Sequence, residues 1–256
     1  MDLITNNITF FYAFLLVTIG FGMKFISIVS IKLTNAEKVK FLFLGPTPDY
    51  STVLKKTDLT RHDIISILKV FFLELLFLSF IYYFKETIFF SKLWIVNSYI
   101  ALFPFYLLTD CYGRLIQLLS LKDCGYLPPV HNKIFHSSSL GNFWGIRWNT
   151  YFSDWFRSQI FKKFSHNHFL GSLLVFFISA VIHEIIVNVP LHTIYGVNMY
   201  GSMMLYFGIQ CVGVYLEKRL NLSLLSRKIY LWSFIVLPAP LVINLGTLRL
   251  TMFLPH

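Results

Sequence analysis

Six stretches of this sequence are long and apolar enough to cross a bilayer, and they limit the fold more than any motif does. A spanning helix needs about 20 mainly apolar residues. The stretches are Ile8 to Ile31, Ile64 to Phe84, Leu93 to Leu108 with an apolar continuation beyond Asp110, Phe169 to Val189, Ile194 to Leu216 and Tyr230 to Leu248. Of the 256 residues, 56% are hydrophobic and 13% charged. That is about half the charge a soluble domain carries. The same figures exclude disorder, because such a chain buries apolar side chains wherever it can. The expected fold is all-α: a polytopic membrane bundle of about six or more helices, built as one domain over residues 1–256.

Charge in the connections gives the orientation. Seventeen of the 22 Lys and Arg residues fall in connections one, three and five, and three fall in the alternate connections and the tail. The positive-inside rule therefore puts the first set in the cytoplasm and both termini outside. The net charge of +10 then reports an anionic membrane surface as partner and gives no reason to invoke nucleic acid. Lys24, Lys69 and Glu74 lie inside spans, and the last two are placed to face a protein interior.

Other signals are weak. Cys111, Cys124 and Cys211 lack the spacing of a metal knuckle and read as buried thiols. His166 and His168 have no Cys or acidic neighbours to complete a metal site, so no metal is expected. His131 falls in a connection. Asp2 before the first apolar run, with no basic segment ahead of it, does not read as a cleavable leader.

The third connection departs from a generic loop. Leu127-Pro128-Pro129 stops any helix arriving from the third span. From Trp148 a helical period appears, with Trp148, Phe152, Trp155, Phe156 and Ile160 on one stripe and Asn149, Ser153 and Arg157 off it. An aromatic face opposite a basic one suits an amphipathic helix lying in the cytoplasmic interface. Anchoring alone accounts for such a stripe. Arg147, Asn149, Asp154 and Arg157 within eleven residues add a second reading, in which the arginines hold the phosphates of an anionic cosubstrate or lipid headgroups.

His183-Glu184 interrupts the apolar run Phe176 to Val187. Ionisable residues at that depth are expensive and face a cavity or a partner. A zincin helix is excluded because Val187 stands where a second histidine is needed. A packing histidine is one reading. The other is a general base, since a desolvated imidazole stays neutral and can take a hydroxyl proton. No Gly-x-Ser-x-Gly elbow occurs.

Together these residues resemble the membrane-bound O-acyltransferase superfamily, and most closely its wax-synthase-like branch. The phrase Ser139-Leu140-Gly141-Asn142-Phe143-Trp144-Gly145-Ile146-Arg147-Trp148-Asn149 is similar to that branch's signature, and Ser153 to Arg157 to the segment after it. Ser179 to Glu184 matches a helix ending in Ser-x-x-x-His-Glu, and Phe207 to Glu217 a later stretch with Gln210 and Glu217 in place. The motif-bearing part is about 120–217. Ile146 departs from the branch, which often has Arg there.

The resemblance implies transfer of an acyl group from acyl-CoA, a cosubstrate, to the hydroxyl of a lipophilic alcohol, with no bound cofactor and no metal. His183 would act as base, and Asn149 would orient the acyl group or stabilise developing charge. Trp144, Arg147, Trp148, Asp154, Arg157 and Glu184 would line the substrate path. The acceptor stays open among a fatty alcohol, sterol, diacylglycerol, polysaccharide and specialised metabolite. A non-catalytic lipid-binding or transporter-like protein on the same scaffold also stays open. A bacterial inner membrane and the endoplasmic reticulum both fit.

Overall fold

A computed structural model of the chain describes residues 2–30, 32–44, 47, 60–89, 93–124, 126–164 and 166–251. Lys55, Lys56 and Lys92, counted in the charge pattern, lie outside these, as does His256. The described residues contain helices and turns but no strand. In chain order the helices are α1 (Asp2–Ser30), α2 (Asn35–Leu44), α3 (Arg61–Tyr83), α4 (Trp94–Ile100), α5 (Leu102–Cys124), α6 (Thr150–Gln159), α7 (His168–His183), α8 (Val189–Tyr195), α9 (Ser202–Glu217), α10 (Leu224–Val236) and α11 (Leu245–Leu250). The all-α expectation holds.

Among the described residues, three helical segments are long and apolar enough to cross a membrane: Arg61–Tyr83, His168–Tyr195 and Leu224–Val242. They match the second, fourth and sixth apolar stretches and make this an integral membrane protein. The first stretch falls on the 29-residue α1. The third is broken at Ala101, between α4 and α5. Pro104 has no N–H to return to the Ile100 carbonyl, so it sits in the first turn of a new helix. The fifth is broken over residues 196–201, where Gly196 (φ 64°) closes α8 and Gly201 (φ 88°) opens α9. Both take the left-handed backbone that glycine enters without steric cost.

The chain divides into two compact units. One comprises Met1–Gly20, Lys85–Leu102 and Phe164–His256, and the other Phe21–Phe84 and Phe103–Lys163. In the second unit α3 is inverted relative to a helix in water. Leu76 is 68% exposed and Tyr83 82%, while Glu74 is 8% exposed. An apolar exterior with a polar interior is the low-energy arrangement when lipid is the solvent. Glu74 meets Asp110 of α5, and Asp110 pairs with Arg114 at 3.2 Å. Lys69, by contrast, is exposed. The Thr60–Asp63 capping box starts α3.

In the first unit the helices are tied by side chains that reach backbone carbonyls. Gln210, fully buried, donates to Phe234 O at 2.6 Å. The Tyr230 hydroxyl donates to Gly213 O at 2.7 Å, and that of Tyr99 to Leu237 O at 3.0 Å. Gly246 packs closely on α8, since a Cβ there would stand 2.8 Å from Leu191 Cδ2 and the leucine would have to shift.

Candidate functional site

The motif-bearing residues fall into two groups, one in each unit. In the second unit the Pro128-Pro129 run has no N–H of its own at either proline, and its carbonyls need donors from elsewhere. They are met in sequence. Gln117 Nε2 donates to Leu127 O (2.6 Å), the Tyr151 hydroxyl to Pro128 O (2.9 Å), the Thr150 hydroxyl to Pro129 O (3.0 Å) and the Thr150 N–H to Val130 O (2.8 Å). Burial holds the Tyr151 phenol above its ordinary pKa, which keeps it a donor. Gly113 lets α5 approach this run, because a Cβ there would collide with the Val130 side chain.

The Phe143–Arg147 segment is a π turn, closed by the Trp148 N–H on Phe143 O at 2.8 Å. Asn149 follows with φ 43°, the left-handed backbone that asparagine tolerates better than most residues. Its Oδ1 accepts the Phe152 N–H at 3.4 Å and caps α6. The helical period therefore begins at Thr150 and not at Trp148. The Asn149 N–H donates to His131 Nδ1 at 3.3 Å, while His131 Nε2 lies 2.9 Å from Thr109 Oγ1. An Nδ1 that accepts carries no hydrogen, so the neutral ring is the Nε2–H tautomer and donates to Thr109. His131 is 5% exposed, and its ring lies 4.3 Å from that of Trp148 and 5.3 Å from that of Tyr106. Burial pushes its pKa down to about 4, with Asp110 pulling the other way.

Both signature arginines have local partners. Arg147 Nε donates to Asn142 Oδ1 (2.7 Å), and its Nη1 donates to the carbonyls of Asn132 (3.0 Å) and Lys133 (3.1 Å). Arg157 pairs with Asp154 at 2.7 Å and donates to the Gly145 carbonyl, tying α6 to the π turn. Trp144 is half-buried and edge-on to Phe143. Of the aromatic stripe, Trp155 and Phe156 are buried. Trp155 Nε1 donates to Ser27 Oγ at 2.9 Å and to Met23 O at 3.2 Å on α1, so this part of the apolar face packs on protein.

In the first unit α7 runs to His183, and Glu184–Asn188 forms a second π turn before α8. Pro190 has no N–H for the Ile186 carbonyl, and the helix widens immediately before it. His183 Nδ1 lies 2.7 Å from Ser179 O. A carbonyl only accepts, so Nδ1 carries the hydrogen, and Nε2 of the neutral ring keeps its lone pair. The ring is half-buried and 4.7 Å from that of Phe207.

Glu184 turns to a different task. Its Oε1 accepts the Met203 and Met204 N–H groups at 3.0 and 3.3 Å, at the first turn of α9, and its Oε2 accepts Asn188 Nδ2 at 2.6 Å. A carboxylate at a helix N-terminus satisfies orphan donors and complements the dipole. Asn188 Nδ2 also contacts Met199 O (3.0 Å) and Ser202 Oγ (3.1 Å), and Asn244 Nδ2 donates to Asn188 Oδ1 (2.9 Å) and Ser202 Oγ (3.0 Å). Asn188 and Asn244 are fully buried.

Thus His183 and Glu184 lie in one unit, while Trp144, Arg147, Trp148, Asn149, Asp154 and Arg157 lie in the other. The motifs in the sequence single out neither Asn188, Ser202 and Asn244 nor the placement of His131. Asn188 carried a usable signal, because an amide in an apolar helix is as conspicuous as the histidine five residues before it. Among the described residues no three His, Cys, Asp or Glu side chains come together as a metal site needs.

Residues 127–207 match the model of the membrane bound O-acyl transferase family. This span includes both Asn149 and His183. The chain is also 28% identical over 162 residues to diacylglycerol O-acyltransferase 1 of Dictyostelium discoideum, a match covering 60% of this chain and 24% of the relative. The two matches support the membrane-bound O-acyltransferase superfamily. The chain spans about a quarter of the length of that curated relative. No solved structure matches it.

Proposed function

We propose that the protein transfers an acyl group from acyl-CoA to the hydroxyl of a lipophilic alcohol, in the manner of the wax-synthase-like branch, with His183 as general base. The observation that carries this is the Nδ1–H bond from His183 to Ser179 O at 2.7 Å, which orients the ring and leaves Nε2 as the proton acceptor. In this reaction the hydroxyl oxygen attacks the thioester carbonyl carbon as its proton passes to Nε2. Collapse of the tetrahedral intermediate breaks the carbon–sulfur bond, and the departing thiolate of CoA takes that proton from the imidazolium. An apolar surround keeps water from competing for the acyl group. Asn149 orients the acyl group or stabilises the developing oxyanion. Trp144 and Trp148 line the acyl path, and Arg147, Asp154, Arg157 and Glu184 hold the shape of the segments that carry it. The Dictyostelium relative's name puts diacylglycerol beside fatty alcohols in the acceptor panel.

The test is ester formation by purified protein in detergent, with radiolabelled acyl-CoA and that panel. His183→Ala lowers turnover about 100-fold or more and leaves the circular dichroism spectrum and elution volume unchanged. Full activity in His183→Ala overturns the assignment of the base. Acyl-CoA binding with no product on any acceptor favours a non-catalytic lipid-binding scaffold instead.

A further inference from the structure

Outside the residues assigned above, the second unit holds one buried imidazole in direct contact with a motif residue. His131 is 5% exposed and lies in a turn, eighteen residues before Asn149. Its two nitrogens have separate, complementary partners. Nδ1 receives the Asn149 N–H at 3.3 Å, and Nε2 faces Thr109 Oγ1 at 2.9 Å. Thr109 is in turn fixed to α5, its hydroxyl lying 2.9 Å from Tyr106 O and 3.1 Å from Phe105 O. A chain of hydrogen bonds therefore runs from the backbone of α5 through Thr109 and His131 to the backbone of Asn149.

Asn149 needs such a hold. Its φ of 43° is costly for a residue with a Cβ. Its Oδ1 contact to Phe152 N is long, at 3.4 Å. The residues on either side add to the grip. Trp148 rests on the His131 ring, and the Thr150 N–H and hydroxyl donate to Val130 O and Pro129 O next to His131.

We propose that His131 is a positioning residue for the acyl-transfer site: it accepts the Asn149 amide and holds that residue in its left-handed conformation, which sets where the Asn149 side chain points. This rests on the function proposed above only in naming the reaction that Asn149 serves. His131 needs no contact with substrate, and its neutral ring with hydrogen on Nε2 is the form that can do this. Misplacing a group by about 1 Å costs on the order of 100-fold in rate, so loss of the hold appears in kcat and not in KM.

Two substitutions separate this role from packing. In His131→Asn the side-chain oxygen lies near the position of Nδ1 and can accept the same amide, whereas His131→Leu keeps bulk and loses the acceptor. The first readout needs no turnover: amide hydrogen exchange at Asn149, followed by NMR on full-length protein labelled with 15N-asparagine, with the resonance assigned by its loss in Asn149→Gly. Exchange is slow in wild type and His131→Asn and accelerates at least about tenfold in His131→Leu, while the backbone amides of Asn97 in α4 and of Asn188 keep their rates. Unchanged exchange at Asn149 in His131→Leu overturns the proposal.

The second readout is steady-state turnover. His131→Leu lowers kcat about 10- to 100-fold with KM for acyl-CoA unchanged, and His131→Asn restores most of it. In an Asn149→Gly background, His131→Leu has no further effect on kcat. Equal losses in His131→Leu and His131→Asn, or a loss in KM alone, overturn the proposal. A wild-type protein that makes no ester overturns the proposed function, and the exchange measurement still decides the role of His131.

Discussion

The two motif regions use their polar groups in opposite ways. Around Asn149 nearly every polar side chain is turned onto backbone: Gln117, Tyr151 and Thr150 onto the proline run, Arg147 and Arg157 onto turn carbonyls, and His131 onto an amide. Around His183 the polar side chains pair mainly with one another and with the start of α9. The histidine stands apart, its Nδ1 tied to the Ser179 carbonyl and its Nε2 with no hydrogen bond among the described residues. A turn made of extended, proline-rich chain has no ladder to satisfy its carbonyls, so side chains must do it. A helix satisfies its own backbone, and its polar side chains are left for one another and for chemistry. The first region holds its form through guanidinium, amide and hydroxyl donors, and the second has the proposed proton acceptor.

That contrast can be broken most sharply at the base. His183→Ala is expected to remove activity without removing stability, because the ring's Nδ1 hydrogen bond is to the Ser179 carbonyl within its own helix. Glu184→Leu, one residue away, does the reverse. It leaves the Met203 and Met204 amides and Asn188 Nδ2 without their acceptor, and is expected to cost roughly 2–4 kcal/mol. Thermal unfolding in detergent measures this, and a melting temperature equal to wild type contradicts the role given to Glu184.

The next effect is a pH dependence. His131 has its pKa pushed from 6.5 to about 4 in the folded protein. Between these values the unfolded chain binds a proton that the folded one does not, so the stability from the neutral buried ring is present above 6.5 and is lost as pH falls toward 4. Unfolding midpoints over pH 4 to 7 fall on acidification in wild type and fall less in His131→Asn. Equal slopes in the two proteins refute the assignment.

The smallest effect is expected at Arg157. Lysine in its place keeps the charge and loses the planar fork that reaches both Asp154 and the Gly145 carbonyl. Arg157→Lys should cost about 0.5–1.5 kcal/mol and leave KM for acyl-CoA within about twofold, since surface ion pairs contribute little. A tenfold rise in KM would instead make Arg157 a phosphate ligand.

Much of the architecture was legible because lipid contact writes itself into composition: α3, α7 with α8, and α10 each coincide with an apolar stretch. The breaks were less so. Pro104 and the Gly196–Gly201 pair are visible as residues, but hydropathy averages over them, and only the structure shows that helices start or stop beside them. His183 and Asn149 were conspicuous as polar residues at the membrane. What they touch was not. Glu184 meets amides nineteen and twenty residues away, and His131 meets Asn149 across eighteen. Such partners are set by how two helices or two turns come together, which no local period encodes. The charges of Arg147 and Arg157 pointed to anions, and nothing in the sequence indicates that their guanidinium groups also meet carbonyls, those of Asn132 and Lys133 for Arg147 and that of Gly145 for Arg157.

The π turn at Glu184–Asn188 has one more consequence. Such a turn is an α-helix carrying a single surplus residue. Each helical residue rotates the following face by about 100°. Deleting one residue between 184 and 188 would leave His183 at the end of α7, yet it would swing Asn188 away from Asn244 and Ser202. The surplus residue acts as a frame shift along the helix, letting one segment present the histidine in one direction and the amide in another. Loss of a single codon here would therefore be far more damaging than most single substitutions in the same helix.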